Sequence, residues 1–243
     1  MRGIRALAAT PTVAAIAVVM TAGCAQTALS TNAKNANTPR PVPYAVVGEL
    51  PETLAADGTT IVVGDPAAAT TVRLYEDPRC PYVDEFASGA PVLRSMTLRR
   101  EARTEYTFAS FRDDRVGGDG SNKAVNALRA ALEAGLFTEY HAVLLENMAK
   151  SERAGGYTNN SLLALADQVP GLRSEAFDSA VATMKYSGFV VASEKAYEAA
   201  GGDDPRGPGT PTVVINGTQI TGARYGWLFE ERSFGRLLRS ARG

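Results

Sequence analysis

Asp77-Pro78-Arg79-Cys80-Pro81-Tyr82-Val83 is the stretch whose reading decides the fold. It lies where a β-rich run at residues 70–75 gives way to helix. Asp77-Pro78 ends the strand, because proline has no N–H to give a ladder. Pro81 suits the first turn of a helix, where the N–H has no intrahelical partner anyway. Cys80 then stands at a helix N-terminus, where unpaired N–H groups and the helix dipole favour a thiolate. Arg79 is expected to help that charge, and Glu76, Asp77, Asp84 and Glu85 to oppose it. A Cys-Pro-x-Cys segment at such a join is a redox dithiol. Here its fourth position is Val83, and one thiol remains. Residues three apart on a helix share a face, so Val83 should lie close to the Cys80 sulfur, where it cannot attack.

Working outward, Ile61-Val62-Val63 is a short strand closed by Gly64-Asp65-Pro66. Phe86, Val92, Leu93, Met96 and Leu98 form a loosely helical set, kinked by Gly89 and Pro91. Residues 105–111 alternate as a strand, and 112–120 read as a polar, glycine-rich loop. Ser121 reads as the cap of a long helical region. In that region Val125, Leu128, Leu132, Leu136, Tyr140 and Leu144 keep helical spacing, and Gly135 divides two helices. Further helices are expected at 161–168, 174–186 and 188–200, then a loop at 201–209. Two strands, 212–215 and 218–220, flank Asn216-Gly217, a strong hairpin signal. A final helix covers about 225–239, with Leu228, Phe229, Phe234 and Leu237 on its core face. Tyr225 and Trp227 read as core packing too. The order is β-β-α-β, a helical block, then β-β-α. The class is α/β, a sheet domain interrupted by helices at about 117–200.

Four segments in this order carry a resemblance. Gly64-Asp65-Pro66 precedes the first long strand, and residues 73–86 run from that strand through Asp77, Cys80-Pro81-Tyr82 and Phe86. Leu136-Phe137-Thr138-Glu139-Tyr140-His141-Ala142-Val143-Leu144 forms a helix of the insertion, and Gly209-Thr210-Pro211-Thr212 precedes the hairpin. Together they resemble the DsbA-like branch of the thioredoxin fold, from about Ile61 to the C-terminus. The resemblance implies a thioredoxin fold with a helical insertion. It makes Cys80 the catalytic thiol and Pro81, Tyr82, Thr210 and Pro211 the substrate-binding residues. It implies a cis bond before Pro211, with Thr210 pairing to a substrate backbone, and a partner that is a peptide or protein thiol. Val83 departs from the family pattern. A mixed disulfide on Cys80 then needs an external thiol to release it, so stable dithiol oxidase activity is excluded. Three readings stay open: a monothiol oxidoreductase or isomerase exchanging with low-molecular-weight thiols, a partner-binding module using the groove between Cys80-Pro81 and Pro211, or a buried structural cysteine.

The first acidic residue of the 243 is Glu49. Arg2 and Arg5 precede an apolar run at 6–20, as in a secretory signal spanning residues 1–23. Thr21-Ala22-Gly23-Cys24 resembles a bacterial lipobox, which makes Cys24 a lipidation site and the membrane a partner through that anchor. Cleavage to a free secreted protein and a retained anchor are the alternatives. Residues 24–45, rich in Thr, Asn, Ala and Pro, read as a flexible tether, and 46–243 as the folded domain. The chain has two cysteines, so lipidation of Cys24 leaves Cys80 alone in an oxidising compartment. A net charge of −1 points to no nucleic acid. One histidine, His141, and one spare cysteine make a metal site improbable, and no cofactor is expected; His141 reads as a packed or surface residue. Gly117-Gly118-Asp119-Gly120 lacks the Lys-Ser/Thr ending of a phosphate loop and reads as a connector. Arg94, Arg99, Arg100 and Arg103 read as a solvated basic face.

Overall fold

Alternating apolar residues build a sheet, and helical repeats cover it. The computed structural model describes residues 41–241. In chain order the elements are β1 (Glu52–Leu54), β2 (Ile61–Gly64), β3 (Thr70–Glu76), α1 (Pro81–Phe86), α2 (Ala90–Leu98) and β4 (Ala102–Phe108). The helices α3 (Arg112–Val116), α4 (Gly120–Glu133), α5 (Phe137–Arg153), α6 (Asn159–Ala166), α7 (Glu175–Ala182) and α8 (Ser187–Ala199) follow. The chain closes with β5 (Thr212–Ile215), β6 (Thr218–Gln219) and α9 (Glu231–Ser240).

The strands pair in the order β1-β2-β4-β3-β5-β6. Only β3 and β4 run parallel; the other neighbours are antiparallel. The register places Ile61 opposite Tyr106, Tyr106 opposite Leu74 and Leu74 opposite Val213. One face is therefore apolar across these strands. Val72, Leu74, Val213 and Ile215 pack on Phe86, Leu93 and Met96 of α1 and α2, and on Phe234, Leu237 and Leu238 of α9. Ile61, Val63 and Phe108 pack on the insertion, through Leu128, Phe137, Tyr140 and Leu144. On the opposite face Arg73 and Arg103 pair with Glu105, while Tyr75 meets Tyr197 of α8. This is the α/β thioredoxin fold with a helical insertion.

Several local expectations change. The tether was expected to reach residue 45, yet Tyr44 is already docked: its N–H donates to Leu98 O at 2.9 Å, and Arg100 lies 4.1 Å over its ring. β1 is short and polar, and the alternation pattern gives no sign of it. Glu52 on that strand caps α5, accepting from Phe137 N at 2.9 Å and Thr138 N at 2.7 Å. β4 stops at Phe108, and 112–116 form α3 rather than open loop. The expected kink at Gly89 is a break between α1 and α2, where a Cβ would lie 2.1 Å from Leu228 O. The last helix begins at Glu231, because residues 222–229 wind as 3₁₀ turns. There Leu228 is buried, but Trp227 is 42% exposed and not core. Among the described residues no helix is long and apolar enough to cross a membrane. Residues 1–40, with the expected signal, Cys24 and most of the tether, lie outside the described residues.

Candidate thiol site

The site is built where β3 ends. Asp77 is fully buried, and its carboxylate takes three hydrogen bonds: Arg79 N at 2.9 Å, Ser121 Oγ at 2.7 Å and Arg112 N at 2.9 Å. One side chain thus ties the turn before Cys80 to the starts of α3 and α4. Burial pushes its carboxyl up to about 7, against the pull of those three donors. Ser121, expected as a helix cap, instead lies inside α4 and gives its hydroxyl to Asp77. The open N–H groups of Ser121 and Asn122 are taken by Asp113, at 2.8 and 2.9 Å.

Cys80 is the N-cap of α1, with Pro81 in the first turn. Its N–H closes a turn on Asp77 O at 2.9 Å. The thiol donates to Thr210 O at 3.2 Å, and Cys80 is 5% exposed. The Thr210–Pro211 bond is cis. Behind it Tyr225 donates its hydroxyl to Pro211 O at 3.1 Å. Burial pushes the Tyr225 phenol up, with a further push from Cys80, so it stays a donor. Val83 has no exposed surface and packs with Cys80, Leu145 and Met148. The insertion, through α5, thereby seals the position one turn below the thiol.

A groove of about 360 Å³ opens beside Cys80. It gathers Cys80, Pro81, Tyr82 and Thr210 from the expected residues, with Tyr82 58% exposed. Pro211 stands behind Thr210. Phe111, Arg112, Arg115, Tyr197 and the 204–209 loop complete the walls. These walls were missed in sequence, since the 112–120 and 201–209 segments carry no periodicity. Tyr197 holds the second loop: its hydroxyl accepts from Gly209 N at 3.1 Å. A Cβ on Gly207 would come within 2.3 Å of the Tyr197 ring, so the close approach and a φ of 81° both require glycine there.

Arg79 is the main correction. Its guanidinium does not serve Cys80. It is buried against Asp113 at 2.8 Å and Glu152 at 2.7 Å, and donates to Gly117 O at 3.0 Å. Burial works against its charge, and its hydrogen bonds to these acids outweigh that cost and hold it above its ordinary range. His141, read as a packed or surface residue, is packed: its Nε2 lies 2.8 Å from Glu76 Oε2 and its ring is stacked on Phe137. Among the described residues no three His, Cys, Asp or Glu side chains could hold a metal ion.

A family model described as thioredoxin matches residues 56–226. The chain belongs to the thioredoxin family. No curated protein sequence matches it. Its fold is that of the DsbA-like thiol-disulfide oxidoreductases. It is similar to the MdbA thiol-disulfide oxidoreductase of Corynebacterium diphtheriae, at 20% identity and a TM-score of 0.60, over 79% of this chain and 95% of that one. It is similar to BdbD of Bacillus subtilis at 17% identity and 0.61, over 77% and 95%. DsbA of Chlamydia trachomatis matches at 19% identity and 0.58, over 74% and 90%. In this thioredoxin-family chain Cys80 is the only cysteine among the described residues, and it is a free thiol.

Proposed function

We propose that this protein is an extracytoplasmic, lipid-anchored thioredoxin-family member that binds a cysteine-bearing peptide segment in the Cys80 groove and does not act as a dithiol oxidase. One observation carries the reading. The Cys80 thiol faces an open groove, while the position that would resolve a mixed disulfide holds a buried valine. The chemistry available is a single exchange. The Cys80 thiolate attacks a partner disulfide, a new S–S bond forms on Cys80, and the displaced partner sulfur leaves as thiolate and takes a proton from water. Val83 has no sulfur to reverse this, so the mixed disulfide persists until an external thiol attacks it. The groove of about 360 Å³ beside Cys80, with Tyr82 58% exposed on its wall, favours a bound partner segment. The basic and apolar start of the chain, with Thr21-Ala22-Gly23-Cys24, supports secretion and anchoring.

The test is equilibrium binding of a cysteine peptide and of its serine counterpart to the wild-type protein and to Cys80→Ser. Binding that survives Cys80→Ser supports a partner-binding groove. Binding lost entirely with the thiol overturns it in favour of monothiol exchange. Mass spectrometry of the mature N-terminus should find lipid on Cys24, and an unmodified later start contradicts the anchor.

A further inference from the structure

The groove beside Cys80 carries positive charge that the fold leaves uncompensated. Three arginines and one acid line it: Arg112, Arg115, Arg206 and Asp204. Arg206 is matched by Asp204, at 2.9 Å through both Nη2 and Nε, so that pair adds no net charge. Arg112 and Arg115 form no ion pair among the described residues.

Both are held in place by the groove's own walls. Arg112 is fixed at its backbone, whose N–H donates to Asp77, and its Nε is buried with no partner. Arg115 lies 4.5 Å over the Phe111 ring, which stacks on Tyr197 at 5.6 Å. A second atom points the same way. Thr210 is 9% exposed, lines the groove, and its Oγ1 is buried without a hydrogen bond. Buried polar atoms are normally paired, and each exception needs a cause. Here two exceptions, Arg112 Nε and Thr210 Oγ1, belong to residues of one groove beside the thiol.

Acids lie nearby but in the next cleft, where Asp114, Glu194 and Glu198 sit with Ser110, Asn122, Arg115 and Arg206. Glu194 is already engaged there by Ser110 N and Oγ. Arg115 and Arg206 are therefore shared between the two clefts, whereas Arg112 lines the thiol groove and not the acidic one. A guanidinium pairs a carboxylate through two parallel hydrogen bonds, which fixes orientation as well as charge.

We propose that the groove selects a partner peptide whose cysteine is flanked by an acidic side chain, with Arg112 pairing the carboxylate and Thr210 Oγ1 accepting a peptide N–H. This rests on the partner-binding reading above. A small thiol with free carboxylates offers the same chemistry, but a groove of about 360 Å³ reaching from Cys80 to Phe111 and the 204–209 loop suits a peptide segment.

The test uses the purified full chain carrying Cys80→Ser and two labelled peptides, identical except for Glu or Gln beside a serine in place of cysteine. The Glu peptide should bind about tenfold more tightly, as expected for a charge-assisted hydrogen bond at a half-exposed site. Arg112→Gln should remove the difference and Arg112→Glu should reverse it. Arg112→Lys, which keeps charge without the planar fork, should retain part of it. Equal binding of the two peptides overturns the selectivity and leaves the partner-binding reading standing. Binding of neither overturns both. In a parallel arm with wild-type protein, glutathione disulfide should label Cys80 at a rate that Arg112→Gln does not change. An Arg112-dependent rate there, with no peptide discrimination, assigns the site to a small thiol and overturns the peptide.

Discussion

Cys80 and Asp77 are three residues apart and have opposite fates. The thiol lines the groove, 5% exposed; the carboxyl is fully buried with three donors around it. Burial pushes Asp77 from 3.8 to about 7, so the folded chain keeps a proton that the unfolded chain releases near pH 4. The sign follows from linkage. Between those two values the unfolded state binds fewer protons, so stability contributed by Asp77 is full below about pH 4 and is lost as pH rises through about 7. Asp77→Asn should flatten this fall. Urea unfolding at several pH values should give a wild-type slope steeper than the variant's in that window, and equal slopes would contradict the assignment. Sequence reading placed Cys80 at a helix start with Val83 one turn on, because a helix N-terminus and an i,i+3 spacing are local facts. It misplaced Arg79, because where a long side chain ends depends on segments 34 and 73 residues away.

Those segments make Arg79 a matter of elements. The turn before α1 is pinned to α3 through Asp113 and to the end of α5 through Glu152. Glycines line the seat: a Cβ on Gly156 would lie 2.9 Å from Arg79 Cζ, where φ is also 97°. Arg79→Met keeps the length but leaves two acids facing each other without a cation. Removing one partner of a buried pair costs about 3–5 kcal/mol, and with Glu152 partly solvated the loss should sit near the lower end, at about 3 kcal/mol. Chemical denaturation measures it, and a loss under about 1 kcal/mol, as for an exposed pair, would mean the network is not structural. The elements that pattern reading missed share a cause. β1 is three residues long with Leu54 as its one apolar residue, too short to show alternation, and it pairs to β2. The five-residue α3 has no side-chain cap of its own and is held by Asp77 at its first N–H. Residues 225–229 read as the start of the last helix because Leu228 and Phe229 continue the apolar run, yet 222–229 wind as 3₁₀ turns against the cis-proline loop.

Across the whole molecule, the presentation of the thiol and the burial of its neighbour have one cause. The sheet and the insertion meet around α1, so the same packing that presents Cys80 to the groove buries Val83 against Leu145 and Met148. The fold class was legible because strand alternation, the Asn216-Gly217 turn and the long helical repeat are strong and in order. The groove walls were not, because their residues come from 111–115, 197 and 204–210, joined only by tertiary structure. On the proposed reading the scaffold and its partner site are intact and resolution alone is missing. Val83→Cys tests it, since valine and cysteine are close in size and the buried seat is already apolar. In an insulin-reduction assay with dithiothreitol, the wild-type chain should stay at background while Val83→Cys gains catalytic turnover. Turnover by the wild type, or none by a folded Val83→Cys, would contradict the account.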